Sequence, residues 1–269
     1  MTAPRLLLEG LGIPESPRWH GDKLWFCNWT TGDVVAVGAD GAADVMANVE
    51  TTVPYSIDWL PDGTLLVVSG QEQRLLRRDS SGSLVPYADL SAFGRVFNEI
   101  VVDAFGNAFV NGESIVVVRP DGSCAQVADG LRFGNGMAVM PDGRTLVVAE
   151  SHGGCLTAFT IGIDGTLSDR RRWADLDGDA PDGICVDAEG AVWYASVPGR
   201  QCVRVREGGA VLQRIGIDRG AFACMLGGDD GRSLFIAAAE WKGMDAIGDG
   251  SRTGQVLVAQ VDVPHAGRP

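Results

Sequence analysis

"NGMAVMPDGRTLVVAES", residues 135–151, reads as an apolar strand, a Pro-Asp-Gly turn and a second apolar strand. Glycine reaches positive φ without a Cβ clash, and the Asp carboxylate before it accepts nearby backbone N–H groups. The unit recurs as "DGICVDAEGAVWYAS" at 182–196 and "NEIVVDAFGNAFVNG" at 98–112. Looser copies are "ESPRWHGDKLWFCN" at 15–28, "SIDWLPDGTLLVVS" at 56–69 and "ACMLGGDDGRSLFIA" at 223–237. Their turn glycines, Gly21, Gly63, Gly106, Gly143, Gly190 and Gly231, are spaced by 42, 43, 37, 47 and 41 residues. A period near 40 built from strands and glycine turns is that of a β-propeller with four strands per blade. Six copies predict six blades.

Between the copies lie "GDVVAVGADGAADVMANV" (32–49), "QRLLRRDSSGSLVPYADL" (73–90), "SIVVVRPDGSCAQVADGL" (114–131) and "QCVRVREGGAVLQRI" (201–215). Each holds two more strand-like runs around its own turn, and these are expected to form the outer half of each antiparallel blade. First strands such as 100–102 and 184–186 are apolar on both faces, as strands packed between neighbours must be. Outer runs alternate, with one side wet. Residues 6–8 are the candidate outer strand of the last blade, beside "GQVLVAQVDV" at 254–263, so that N- and C-terminal strands close the ring. A β-sandwich does not account for the sixfold period. The expectation is an all-β six-bladed propeller, with 1–269 as a single domain.

The net charge of −13 argues against nucleic acid as a partner, since neutralising phosphates needs a surplus of Lys and Arg on one face, and no apolar run is long enough for a membrane span. The opening "MTAPRLLLEGLG" is too short an apolar run for a secretory leader, so a cytoplasmic location is expected. The six cysteines form no C-x-x-C pair and read as reduced, buried thiols. The "RRRW" at 170–173 reads as a solvated strand edge, His20 as a turn residue and His265 as a tail residue.

Three copies open on a side-chain oxygen: Asn98, Asn135 and Asp182 each lie eight residues before the turn glycine. Ala223 takes that slot by count in the last copy, and Glu15 and Ser56 take it in the first two. Cyclic symmetry brings equivalent positions to one mouth of the central channel. Two carboxylates and one or two amide oxygens there form a hard, all-oxygen donor set of charge −2. Such a set suits Ca²⁺, Mg²⁺ or Mn²⁺, with Zn²⁺ less typical and calcium the first choice. For any one of these residues alone, turn capping is the plainer account.

The motifs "PESPRW" (14–19), "FNEIVVD" (97–103), "NGMAVMPDGRTLVVAES" (135–151), "APDGICVDAEGAVWYA" (180–195) and "FACMLGG" (222–228) together resemble the SMP-30/gluconolactonase/LRE family of six-bladed propellers, along essentially the whole chain. The resemblance implies a lactonase whose divalent metal is held by Glu15, Asn135 and Asp182. It implies that Asn98 contacts substrate or completes the metal shell, and that Asp182 is the proposed general base. The substrate expected is a small lactone, with a sugar aldonolactone such as gluconolactone first. Two departures stand out. Blade three is short, which predicts a more open site or a bulkier substrate. Arg95 lies three residues before Asn98 rather than two, so it is not assigned a sugar contact. Glu99 stands where the family more often has Asp, with no consequence assigned.

His152, Trp29, Glu240 and Trp241 follow strands that end near the same mouth and are candidate substrate contacts, against a plainer role in rim or blade packing. Two other readings stay open: a metal-dependent esterase or phosphotriesterase, and a non-catalytic binding propeller, against which the converging carboxylates argue. A monomer or homodimer fits either enzyme reading.

Overall fold

The computed structural model describes residues 3–50, 53–243, 246–247 and 250–267. Six four-stranded antiparallel sheets make a six-bladed β-propeller. Blade one holds β1's neighbours in sequence: after β1 (Arg5–Leu11) come β2 (Pro14–His20), β3 (Lys23–Asn28), β4 (Asp33–Val37) and β5 (Ala43–Asn48). Blade two holds β6 (Tyr55–Trp59) to β9 (Leu84–Asp89), by way of β7 (Leu65–Ser69) and β8 (Arg74–Arg78). Blade three runs through β10 (Phe97–Val102), β11 (Ala108–Gly112), β12 (Ile115–Val118) and β13 (Cys124–Ala128). Blade four comprises β14 (Gly134–Val139), β15 (Thr145–Glu150), β16 (Cys155–Ile161) and β17 (Leu167–Asp175). Blade five follows with β18 (Pro181–Val186), β19 (Val192–Ser196), β20 (Gln201–Val205) and β21 (Val211–Gly216). Blade six pairs β22 (Gly220–Gly227), β23 (Ser233–Ala239) and β24 (Gly254–Gln260) with β1.

That last pairing is the expected closure. Arg5 faces Val258 and Leu11 faces Gly254, so the first strand completes the last sheet. All six turn glycines have positive φ, from 57° at Gly21 to 84° at Gly63 and Gly106. In blades two, four and six the Asp before the glycine accepts the following N–H groups, as where Asp142 Oδ1 takes Arg144 N at 2.8 Å and Thr145 N at 3.0 Å; in blades three and five Asp103 and Asp187, three residues before the glycine, do the same. Five hairpins are thus closed by an Asp side chain within the turn, while blade one turns through Gly21 and Asp22, both at positive φ.

The core lies between blades. Blades two and three share a cluster that includes Leu66, Val68, Ile100 and Val110, while blades three and four share Phe109, Val117, Val139 and Val148. The outermost strands are wet, as in β17, where Arg170, Arg171 and Arg172 are exposed and pair with Glu150, Glu207 and Asp175. Trp173 at the end of that run is buried in the blade four–five core. All six cysteines are free, and only Cys124 is not buried. His20 differs from the turn position expected of it: it ends β2 and stacks on Trp59 at 4.2 Å. His265 bridges to Asp187, tying the C-terminal segment to blade five.

The mouth where the innermost strands begin has unequal walls. Four residues join the second and third strands in blades one, two, four and five, but only Glu113 and Ser114 do so in blade three. In blade six the same connection spans 240–253. The short third blade matches the sequence expectation.

Candidate active site and metal centre

An innermost strand normally points its side chains at the two flanking blades, not down the axis. Here five of the six carry a register shift near the mouth: between Glu15 and Arg18, Phe97 and Glu99, Gly134 and Met137, Pro181 and Ile184, and Ala221 and Ala223. A bulge re-aims the side chains beside it. Asn98, Asn135 and Asp182 lie within these shifts, and Glu15 is the last paired residue before its own. Strand β6 has none, and its register is regular from Tyr55 to Trp59. Its Ser56 shares a face with Asp58, whose Oδ2 accepts Val102 N of blade three at 2.7 Å, so Ser56 faces that blade rather than the mouth. Ser56 therefore leaves the ring that the spacing placed it in.

Blade six also differs from the count. A Cβ on Gly136 would meet Asp182 O and Gly183 Cα, and one on Gly183 would meet Phe222 O and Ala223 Cα. Stepping round the ring, Asn135 corresponds to Asp182 and Asp182 to Phe222. Phe222, not Ala223, holds the slot. The count missed it because β22 carries one more residue between this slot and its hairpin than β10, β14 and β18 do, while the turns themselves are equal in length.

The remaining residues come together. Asn98 Nδ2 donates to Asn135 Oδ1 at 3.0 Å, and the Asn135 amide hydrogen-bonds Asp182. Glu15 is buried, whereas Asn98, Asn135 and Asp182 are half-buried, so these three reach solvent at the mouth and Glu15 lies more deeply covered. Burial, then the Asp182 and Glu99 charges, push the Glu15 carboxyl well above its ordinary range. Burial and Glu99 push Asp182 up to about 8, against a lowering hydrogen bond from Asn135. Carboxylates held this close in a poorly solvated place call for a cation or a shared proton.

Among the described residues no three His, Cys, Asp or Glu side chains are grouped to hold a metal. The candidate set instead has two carboxylates and completes itself with amide oxygens. That donor chemistry fits a hard divalent cation.

Beneath the mouth lies a network that sequence reading missed. Glu99 Oε1 accepts Arg18 Nη2 at 3.1 Å and Ser16 Oγ at 3.2 Å, and Arg18 Nη2 also donates to Ile100 O at 2.6 Å. Arg18 and Glu99 are both buried. They join blades one and three across the channel, and Ser16 Oγ accepts Ile57 N of blade two at 3.1 Å. Ser16 sits at φ 49°, the left-handed region, which turns the chain just after Glu15. Asn111, fully buried, accepts Glu99 N at 3.1 Å and donates its Nδ2 to Asn135 O, bracing the two asparagines. The signal available was a polar residue inside each of two apolar strands, Glu99 in "FNEIVV" and Asn111 in "AFVNG".

The rim residues divide. His152 is exposed and stacks on Phe133 at 4.6 Å, beside the Asn135 strand. Trp29 packs with Ile13 and Phe222, its Nε1 donating to Tyr55 O at 2.8 Å. Trp241 meets the Phe222 ring edge-on at 5.7 Å, while Glu240 is exposed and lines a small cleft with Trp241 and Lys242. Arg95 is exposed.

Comparison with known proteins places the chain in a family and agrees with its fold. Residues 13–240 match the model of the SMP-30/Gluconolactonase/LRE-like region. A pentonolactonase, XacC of Haloferax volcanii, is 27% identical over 100% of this chain and 97% of its own length. A 6-deoxy-6-sulfogluconolactonase of Pseudomonas putida is 26% identical over 64% of each chain. Among solved structures, the calcium-binding protein regucalcin of Agrobacterium tumefaciens superposes with a TM-score of 0.82 at 19% identity, covering 99% of this chain and 96% of that one. A gluconolactonase of Xanthomonas campestris gives 0.76 at 22%, covering 97% and 96%. At these identities the solved structures speak to fold alone; it is the match of the family model across most of the sequence that decides membership. The chain belongs to the SMP-30/gluconolactonase/LRE-like family.

Proposed function

We propose that the protein is a lactonase that opens a small lactone at the channel mouth, with one divalent cation held by Glu15, Asn135 and Asp182. The observation that carries this is the meeting of two anionic side chains from blades one and five, each with its pKa raised by burial and neighbouring charge, beside a hydrogen-bonded pair of asparagines. The lactonases among the relatives support the reaction, and the sugar acids in their names make an aldonolactone the first substrate to test. The regucalcin likeness supports calcium as the first cation to test.

When bound, the cation supplies a Lewis acid for the lactone carbonyl and an acidified water. The chain's own groups do the rest. Glu15 and Asp182 fix the cation's place at the mouth. Asn98, held at 3.0 Å from Asn135, presents its amide to the substrate or to the cation. Asp182 is assigned first as ligand, because a carboxylate bound to a cation is a weak base; its second role is to take the proton released as water adds to the carbonyl. His152 stands at the rim, where an imidazole can hydrogen-bond a ring substituent.

The test is Asp182→Asn assayed on gluconolactone and pentonolactones with added Ca²⁺, Mg²⁺, Mn²⁺ or Zn²⁺. The expected result is loss of at least about 10³-fold in kcat with the propeller still folded by circular dichroism. Undiminished turnover in that variant contradicts the assignment.

A further inference from the structure

Of the three residues assigned to the cation, Asn135 alone is an amide, and an amide has two unlike ends. Its oxygen can bind a cation; its nitrogen carries two protons and cannot. A half-turn about the last side-chain bond exchanges the two ends within nearly the same space. The neighbours of Asn135 constrain that half-turn unequally. Asn98 Nδ2 donates to Asn135 Oδ1 at 3.0 Å, but Asn98 is itself an amide. Inverting both amides together keeps the bond between them, with donor and acceptor exchanged. Asp182 accepts from the Asn135 amide, yet its oxygens are the ones the cation takes in the reading above. Asn111 Nδ2 donates to Asn135 O, which holds the backbone and leaves the side chain free to turn.

Ser151 is different. Its Oγ donates its only proton to Pro181 O at 2.7 Å, so it has lone pairs alone to offer Asn135, whose Nδ2 donates to it at 3.4 Å. Inverting the Asn135 amide would set its oxygen against those lone pairs. The hydroxyl is also held from behind. Ser151 N donates to Phe133 O at 3.0 Å and His152 N to Arg132 O at 3.1 Å, pinning both residues to the segment that leads into β14. The buried Glu150 adds a third tie, its Oε2 accepting Arg132 N at 2.7 Å. Pro181 immediately precedes Asp182, so one hydroxyl joins the blade-four ligand to the chain beside the blade-five ligand. Resting on the lactonase reading and its cation, we infer that Ser151 is a positioning residue, whose hydroxyl selects the Asn135 rotamer that turns its oxygen to the cation. It acts through Asn135, and the two ends of the unit 135–151 meet at that one hydrogen bond.

The test titrates metal-stripped wild-type protein, Ser151→Ala and Ser151→Thr with Ca²⁺ and with Mn²⁺ in a calorimeter. Removing a group that orients a metal ligand costs about 10–100-fold in affinity, so the Kd of Ser151→Ala is expected to rise at least about tenfold. Ser151→Thr keeps the hydroxyl and is expected to stay within about threefold of the wild type. A Kd measured well below the unfolding temperature reads the site and not the stability of the fold, and circular dichroism shows that each variant is folded. Wild-type affinity in Ser151→Ala overturns the inference. Equal weakening in both variants also overturns it, because the effect then belongs to packing and not to the hydroxyl. Either result leaves the cation and the lactonase reading standing. A wild-type protein that binds neither ion overturns the inference together with the cation site on which it rests.

Discussion

At the scale of single residues, the account rests on two acids that the fold makes uncomfortable. Asp182 titrates at an ordinary value of 3.8 when unfolded and at about 8 in the fold. The native state therefore holds an extra proton between those values, and cation-free protein loses stability as pH rises from about 4 to about 8. Glu15, also raised, acts in the same direction. Cation binding replaces the proton, so the rise in Tm on adding a saturating divalent ion is expected to be larger at pH 8 than at pH 5, by at least about 5 °C. Thermal unfolding at the two pH values checks this, and an equal rise at both refutes it. Glu15→Gln removes one charge without altering shape. It is expected to raise the Tm of cation-free protein at pH 8 and to lower kcat at least about 10²-fold, a pairing that separates a functional carboxylate from a structural one.

At the scale of elements, the bulges and the buried network decide what the site becomes. Arg18 and Glu99 share a contact of 3.1 Å with almost no solvent access. Arg18→Leu leaves Glu99 buried and unpaired and is expected to cost about 3–5 kcal/mol in urea denaturation. Adding Glu99→Leu to that variant is expected to recover part of the loss, since Glu99 is then no longer buried without its partner, while Asp58 and Glu15 still lack the Arg18 charge. Close packing of the innermost strands is equally unforgiving. A Cβ on Gly183 would lie 2.3 Å from the Ala223 Cβ, so Gly183→Ala must push blades five and six apart. This is also the scale at which sequence reading reached its limit. Gly143 and Gly190 announced their turns because the chemistry of a hairpin is local. Asn98, Asn135 and Asp182 could be aligned because each stands eight residues before its turn glycine. Phe222 and Ser56 could not, because a bulge is a property of the pairing between two strands and leaves no mark in spacing alone. Glu99 and Arg18 were visible as polar residues in apolar runs, but their pairing across blade two exists only once the ring is closed.

At the scale of the whole molecule, closure holds the parts in register. Strand β1 covers the edge of β24, and Leu7 and Leu8 pack against the core between blades six and one. Trp19 stacks on Phe235 at 5.4 Å across the same seam. Deleting residues 1–11 bares β24 as an edge strand, and is expected to lower Tm by at least about 10 °C and to promote association, as light scattering during unfolding will show. The ring architecture and its closure were legible in the sequence because periodicity is a global signal, repeated six times and hard to obscure. The charge of −13 is likewise a global property, and it draws cations toward a mouth that already carries Glu15, Glu99 and Asp182. The central claim is that side chains from blades one, four and five converge on one cation. Isothermal titration of the metal-stripped protein with Ca²⁺ and Mn²⁺ tests it directly. The account predicts one site per chain in the wild-type protein and its loss in both Glu15→Gln and Asp182→Asn; no binding in the wild type, or binding that survives both substitutions, contradicts it.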